Sequence, residues 1–453
     1  MTSPAKNRDG FATALGVLTA TLGSAVGLGN IWKFPYMTGE GGGAAFLIVY
    51  LLATLVVGLP VMIGEIMLGR KSRANAIATW HKFAPGSAWF LVGAGGVIAA
   101  FCIMAFYTDV AGWVFAYVIK AISGQLNAVD PKVGEAAFGA MVSDPLGALS
   151  WQWFVLAVVS LILIGGVSKG IEKTTKILMP VLFLMLCAIC VRSLMLPKAG
   201  EGLAFLFAPD FSKVTVTVVL NAMGLAFFKL SLGMGTMMTY GSYFLEEADI
   251  PKTTLRVMLA DLTVSMLAGI AIFPAVFNYG FEPTAGPGLV FMTMPAVFSS
   301  FPGGQFFMTL FFILTSVATI GAMCSLFEVP VAFIIESCPK ISRRVATIIV
   351  AIGLAASGAP ATLSFSVLSD VSIFGKNFFD MYDFLSSNIL LPSGGAFICL
   401  YVGWLWGWER SKECLTNNGH LSNEGILRIW FMLVKYITPV LVFIVMLKGL
   451  GAF

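Results

Sequence analysis

The chain has 453 residues, of which 58% are hydrophobic and only 11% charged, with a mean hydropathy of +0.91. Soluble domains carry about 25% charged residues, so this composition excludes a soluble globular protein and indicates a chain that crosses a membrane many times. The net charge of +4 says little about partners, since placement matters more than the sum, and no nucleic-acid partner is expected.

Spanning the hydrocarbon takes roughly 20 apolar residues. Eleven segments qualify: 11–36, 42–70, 88–123, 151–167, 174–196, 214–243, 254–280, 301–337, 343–364, 376–408 and 430–449. Several exceed the minimum, which implies tilt or interruption. With the N-terminus inside, one set of loops collects Arg70, Lys71, Arg73, Lys82, Lys169, Lys173, Lys176, Lys340, Arg343, Arg344, Arg410, Lys412 and Arg428. The opposite loops hold only Lys132, Lys198 and Lys213. Basic residues favour the cytoplasmic side, so the N-terminus is expected inside and, with eleven spans, the C-terminus outside. The expectation is a multi-pass protein of the cytoplasmic (inner) membrane, with no cleavable signal peptide ahead of its first span.

The first span reads "GSAVGLGNIWKFP", with Gly23, Gly27 and Gly29 crowded at mid-span and Asn30 just after. Glycine costs about 1 kcal/mol relative to alanine in a helix interior. Unwound backbone at membrane depth survives only where it is buried in protein or lines a cavity. The third span carries "AFYTDVAGW", with Tyr107 and Asp109. The sixth reads "FFKLSLGMG" and places Lys229 beside Ser231, Gly233 and Gly235. A charge near the bilayer centre costs at least about 2.5–3.5 kcal/mol on insertion scales, so Lys229 requires a partner. The seventh, "MLADLTVSMLAG", supplies a candidate in Asp261. Small-residue helix packing would explain one glycine-rich span. Spans one and six, however, each open a group of five when the chain is split 1–5 and 6–10, and such matched interruptions point to a transporter's central site.

The seven cysteines lie mostly in apolar stretches. The Cys187–Cys190 pair has redox spacing but no βαβ context, so ordinary helix packing is expected. His81 and His420 fall in different hydrophilic loops and suggest no metal site. No nucleophile–base constellation marks an enzyme. A "GLGN" nucleotide loop is excluded because neither a strand nor the full glycine spacing is present.

The stretches "GSAVGLGNIWKFPY", "GGGAAF", "FFKLSLGMG", "SKGIEKTTKILMP" and "KYITP" resemble the neurotransmitter:sodium symporter family over almost the whole chain. The resemblance implies an all-α polytopic fold. In it, two five-helix repeats of inverted topology (residues 11–200 and 201–408) hold substrate between the breaks of helices 1 and 6. Residues 1–10 would then form a cytoplasmic segment with part of the inner gate, and 409–453 a loop and final helix.

By that resemblance the Leu28 and Gly29 amides and the Tyr107 hydroxyl hold a substrate carboxylate. The amino group meets carbonyls of the broken helices around Ala25 and Gly27, together with Ser231. Ile103, Phe228, Met234, Ala322 and Leu326 surround the side chain. Monoamine carriers of the family have an aspartate where this chain has Gly27. A neutral, apolar α-amino acid is therefore the expected substrate, although core packing alone would explain each apolar position.

Four features depart from the family pattern or complete it. Lys229 and Asp261 stand where it has two neutral ligands of the first sodium, and an ammonium bridging Asn30, Asp261 and the substrate carboxylate would take that ion's place. A structural Lys–Asp pair holding spans six and seven is the plainer alternative. At the second sodium site, Gly23, Val26 and Ala318 can offer backbone carbonyls, but Gly321 and Ala322 replace two hydroxyl ligands. Thr315 lies six residues away, about 9 Å along a helix. At the chloride position Tyr50 and Ser265 remain while Leu225 and Lys229 replace polar partners, so no chloride requirement is expected. Gates are expected from Lys33 with Asp383 on one side, and from Arg8 with Glu336, sealed by Phe11 near Tyr243, on the other.

Two couplings stay open: a sodium-independent carrier that is proton-coupled or exchanges passively, and a conventional sodium symporter that uses carbonyls and other side chains. Both make a monomer sufficient for transport. A sensor would carry a large soluble domain and a channel would lack paired gates.

Overall fold

A computed structural model describes residues 9–281 and 289–452. Among them nearly every segment is helical and no strand is present. The membrane segments are α1 (Ala14–Ala25), α2 (Gly29–Glu40), α3 (Ala44–Ser72), α4 (Phe90–Ile122), α5 (Pro145–Ile164) and α6 (Val167–Leu194). They continue with α7 (Val216–Lys229), α8 (Thr236–Gly241), α9 (Ile250–Asn278), α10 (Gly304–Ser337), α11 (Arg343–Leu363), α12 (Phe378–Trp406) and α13 (Glu424–Gly449). Nine of these are long and apolar enough to cross a membrane alone, and α1 with α2 makes a tenth span bent by 49°. The expected sixth span is divided into α7 and the short α8.

Both interruptions follow from local chemistry. α1 starts where the Thr13 hydroxyl accepts from the Gly16 N–H at 3.0 Å, and it ends where Val26 turns extended. The Asn30 side chain then accepts from the Gly27 N–H at 3.2 Å, satisfying a donor that the helix has lost. Between α7 and α8 the backbone enters the left-handed region at Ser231 (φ 54°), Gly233 (φ 74°) and Gly235 (φ 72°). Gly233 is also pressed against the Leu391 carbonyl, where a Cβ would lie 2.1 Å from its oxygen. Only glycine fits both constraints. The Glu65 carboxylate on α3 accepts from the freed Gly233 N–H at 2.6 Å.

Four helices widen by one residue per turn just ahead of a proline. The widened turns Gly29–Lys33, Thr54–Gly58, Phe384–Leu390 and Leu433–Ile437 precede Pro35, Pro60, Pro392 and Pro439. Proline has no N–H, and its ring clashes with the carbonyl four residues back; a widened turn relieves both faults. Pro180, Pro274, Pro330 and Pro360 are absorbed inside α6, α9, α10 and α11.

The broken helices occupy the middle of the bundle. α1 packs against α6, α9 and α10, α8 against α3 and α10, and α4 lies along α10. α10 is the most buried continuous span, whereas α5, α6 and α13 are the most exposed. Their outer faces carry Leu161, Leu184 and Phe443, at 72%, 68% and 50% exposure. Large apolar side chains uncovered on several helices suit a lipid surround.

Candidate functional site

The two breaks face each other and are stitched together by serines. Ser231 donates to the Ser24 carbonyl at 3.1 Å, while the Ser24 hydroxyl lies 3.2 Å from Ser231 and 2.8 Å from Ser325 on α10. Around this seam is a small cavity of about 20 Å³. Of the residues expected around a substrate, Ala25, Gly27, Gly29, Ile103, Tyr107, Phe228, Ser231, Met234, Ala322 and Leu326 all line it. Leu28 faces the adjoining cavity instead, and its N–H donates to the Tyr107 hydroxyl at 3.0 Å. The space is that of about one water molecule, so these side chains are nearly in contact. Gly27 leaves no room for a side chain: a Cβ there would lie 2.9 Å from the Ala322 methyl and 3.0 Å from the Tyr107 oxygen.

Beside the cavity is a polar network with no exposure. The Lys229 and Asp261 side chains are both 0% exposed and 3.0 Å apart. The Lys229 ammonium also donates to the Tyr50 hydroxyl at 2.9 Å and to the Ser265 hydroxyl. The Phe34 and Tyr50 rings lie 4.9 Å from Nζ, adding cation–π attraction. Asn30 donates to the Asp261 carboxylate at 2.7 Å, to its carbonyl at 3.2 Å and to Ser265 at 3.0 Å. An ammonium has three N–H donors, and Tyr50, Asp261 and Ser265 engage all of them.

Of the expected bridge, the Lys229–Asp261 contact is present. Lys229 lines the small cavity too, and it reaches Asn30 through Asp261 and Ser265. Its stem packs against Gly29, where a Cβ would come within 3.0 Å of Lys229 Cγ. Tyr50 and Ser265, read from the sequence as chloride-site remnants, are ligands of this ammonium.

Of the residues expected at a second ion position, Gly23 meets Gly321 at the α1–α10 contact, where a Cβ on Gly321 would sit 2.7 Å from the Gly23 carbonyl oxygen, and Ala318 and Ala322 face Gly27. Thr315, Ser316 and Thr319 spend their hydroxyls on carbonyls of their own helix, at 2.7, 2.9 and 2.7 Å. Among the described residues no cluster of His, Cys, Asp or Glu could hold a metal ion.

Above the site a second cavity of about 310 Å³ opens over Tyr107 and Phe228. Lys33, Asp380, Asp383 and aromatic rings, including Trp113 and Phe291, line it. Lys33 lies over the Phe228 ring at 4.2 Å and Asp383 accepts from Ser387 at 2.7 Å; the two make no ion pair within 4.0 Å.

The opposite side is closed. Phe11 meets Tyr240 at 5.5 Å and Tyr243 at 6.0 Å, both edge-on. Tyr243 donates to Glu328 at 2.7 Å, and Arg343 grips the same carboxylate with both guanidinium nitrogens while donating to the Leu163 carbonyl at 2.7 Å. Glu336 accepts from the Asn75 backbone and side chain at 2.8 and 2.9 Å. Arg8, its expected partner, lies outside the described residues. Sequence reasoning missed Ser24 and the clamp of Arg343 on Glu328. The first has a signal in the "GSAVGLGN" run, three residues before Gly27; the second joins residues 15 positions apart across a turn.

An all-helical bundle of apolar spans whose two broken helices meet over a buried pocket defines a membrane transporter of the broken-helix class. The chain belongs to the sodium:neurotransmitter symporter family, whose model matches residues 8–131 and 139–453. It is 39% identical to the uncharacterized sodium-dependent transporter YhdH of Bacillus subtilis, over 97% of each chain. An uncharacterized sodium-dependent transporter of Haemophilus influenzae is 33% identical, covering 99% of this chain and 100% of its own. Among solved structures, MhsT in complex with L-phenylalanine superposes with a TM-score of 0.90 at 40% identity, over 98% of this chain and 100% of that one. The protein is thus a multi-pass membrane transporter and not an enzyme.

Proposed function

We propose that the chain carries neutral, apolar α-amino acids by alternating access, and that the Lys229–Asp261 pair stands in for the first sodium ion. The observation that carries this reading is the fully buried network of Lys229, Asp261, Asn30, Tyr50 and Ser265 directly behind the two breaks. A sodium site is a shell of oxygens around one positive charge, and here an ammonium supplies that charge within a shell of oxygens. The apolar walls from Ile103, Phe228, Met234, Ala322 and Leu326, and the absence of a side chain at Gly27, favour a substrate that brings its own carboxylate. The phenylalanine bound by the similar solved structure agrees with such a substrate.

In this reading the Tyr107 hydroxyl and the Leu28 and Gly29 amides hold the carboxylate, near the unwound backbone where partial positive charge collects. Lys33 and Asp383 close over the bound substrate, and the cluster around Phe11, Tyr243 and Glu336 seals the other side. The repeats are residues 11–200 and 201–408, each opening on a broken helix. The N-terminus is cytoplasmic, as the lysine and arginine bias suggests. Transport needs neither chloride nor a second subunit.

The test is amino-acid uptake into proteoliposomes under an imposed sodium or proton gradient, with phenylalanine as the first substrate. Uptake that persists without sodium is expected. Strong uptake that vanishes without sodium would sink the ion-replacement reading and leave the conventional symporter, which the sodium dependence named for the relatives favours. Lys229→Thr with Asp261→Asn should then confer sodium dependence on the persisting activity.

A further inference from the structure

A third cavity, of about 290 Å³, lies between α7, α12 and α13, and Lys33 and Phe228 divide it from the cavity above the site. Its remaining polar lining comes from Asn221, Ser387, Asn388 and Lys448, and no carboxylate lines it. Among the described residues neither Lys33 nor Lys448 makes an ion pair. Asp383, held by Ser387, faces Lys33 from the neighbouring cavity, but no acid lines this one beside Lys448, and an anion here would be attracted by both ammonium groups.

Ser387 and Asn388 donate to Asp383 and to the Gly449 carbonyl, at 2.7 and 3.3 Å, so the donors open to an oxyanion are those of Lys33, Lys448 and Asn221. Lys448 uses two N–H groups, on the Thr217 carbonyl at 3.2 Å and the Asn221 amide oxygen at 2.7 Å, which leaves the third free. Asn221 accepts through its oxygen, and its NH₂ keeps two donors. The Lys33 ammonium rests on an aromatic face and keeps its donors available. Lys448 is the penultimate residue of α13 and Asn221 lies in the second turn of α7, so both sit near helix ends. Val216 and Leu450, 70% and 50% exposed, flank these helix ends as a lipid-facing rim would.

We propose that this pocket binds a phosphate group, carried either by an anionic phospholipid headgroup or by free inorganic phosphate. Resting on the gate role proposed above for Lys33 and Asp383, a phosphate there draws the Lys33 charge away from Asp383 and holds that gate open. The anion therefore acts on the transport cycle without entering the substrate path.

Native mass spectrometry of the full chain, with phosphatidylglycerol, phosphatidylcholine or inorganic phosphate added, tests this without relying on transport. Wild type should retain phosphatidylglycerol over phosphatidylcholine. Lys448→Ala should bind it at least about tenfold more weakly, the loss expected on removing a charge-assisted hydrogen bond. Lys448→Gln, which keeps a donor for Thr217 and Asn221 but no charge, should show the same loss with an unchanged unfolding temperature. If inorganic phosphate displaces the lipid, the phosphate alone is the ligand; if it does not, the headgroup in its lipid is. Equal binding in wild type and both variants, or no binding of either probe, overturns the proposal.

Discussion

Lys229 illustrates how a single residue can be costly alone and cheap in company. Removing one partner of a buried pair leaves an uncompensated charge, at a cost of about 3–5 kcal/mol, whereas replacing both with apolar residues of similar size is often neutral or stabilising. Lys229→Met should therefore lower stability by about 3–5 kcal/mol, and Lys229→Met with Asp261→Leu should recover most of it. Thermal unfolding in detergent, run as a double-mutant cycle, measures the difference; equal losses in single and double variants would remove the coupling. The pair was legible in the sequence because each member is an anomaly in an apolar span. The direction of the ammonium was not, because four rotatable bonds let the head reach either the substrate space or the corner formed by Tyr50 and Ser265. Sequence spacing carries no trace of that choice.

At the scale of elements, the same contrast separates the breaks from what holds them. Clustered glycines announced that α1–α2 and α7–α8 would not be continuous, since their cost in a helix interior demands a reason. The support came from elsewhere in the chain. Glu65, 168 positions from Gly233, accepts the N–H that the break leaves without an intrahelical partner. Replacing it by leucine strands that buried donor, at a cost of roughly 1–3 kcal/mol, while Glu65→Gln keeps an acceptor and should cost less. The order of unfolding temperatures, wild type then Gln then Leu, checks this, and the phenylalanine uptake rate should fall in the same order. The widened turns before Pro35, Pro60, Pro392 and Pro439 were half legible: proline foretold a fault, but not whether the helix would kink, stop or widen, because neighbouring helices decide which groups can be satisfied.

The whole molecule is asymmetric. A cavity reaches down to Phe228 from one side, while aromatic rings and the Arg343–Glu328 clamp close the other. Periodicity and composition gave most span positions, with the starts of α5, α6 and α13 six or seven residues off, and the family pattern named residues that line the small central cavity. They could not give the state of the gates, which depends on small differences between two packings of one sequence. Arg343→Gln strands the buried Glu328 carboxylate and should shift the population toward opening on the closed side. The native Cys324, 0% exposed and beside Tyr240, reports this. In a Cys338→Ala background its labelling by a thiol reagent should speed up by about tenfold for each 1.4 kcal/mol of shift. Labelling that stays as slow as in the parent would show that the clamp does not govern that gate.

A side-chain ammonium that keeps its proton through the cycle is never released into the cytoplasm. A sodium ion carried with a zwitterionic amino acid moves one elementary charge per cycle and draws about 2.3 kcal/mol from each 100 mV of membrane potential. The ammonium of Lys229 stays with the protein and returns on every empty passage, so in a cycle where it replaces the only coupled ion no net charge is transferred. Such a carrier would work as an electrically silent equaliser of amino-acid pools. Voltage-clamped vesicles would show phenylalanine moving without current, and its distribution would follow concentration alone.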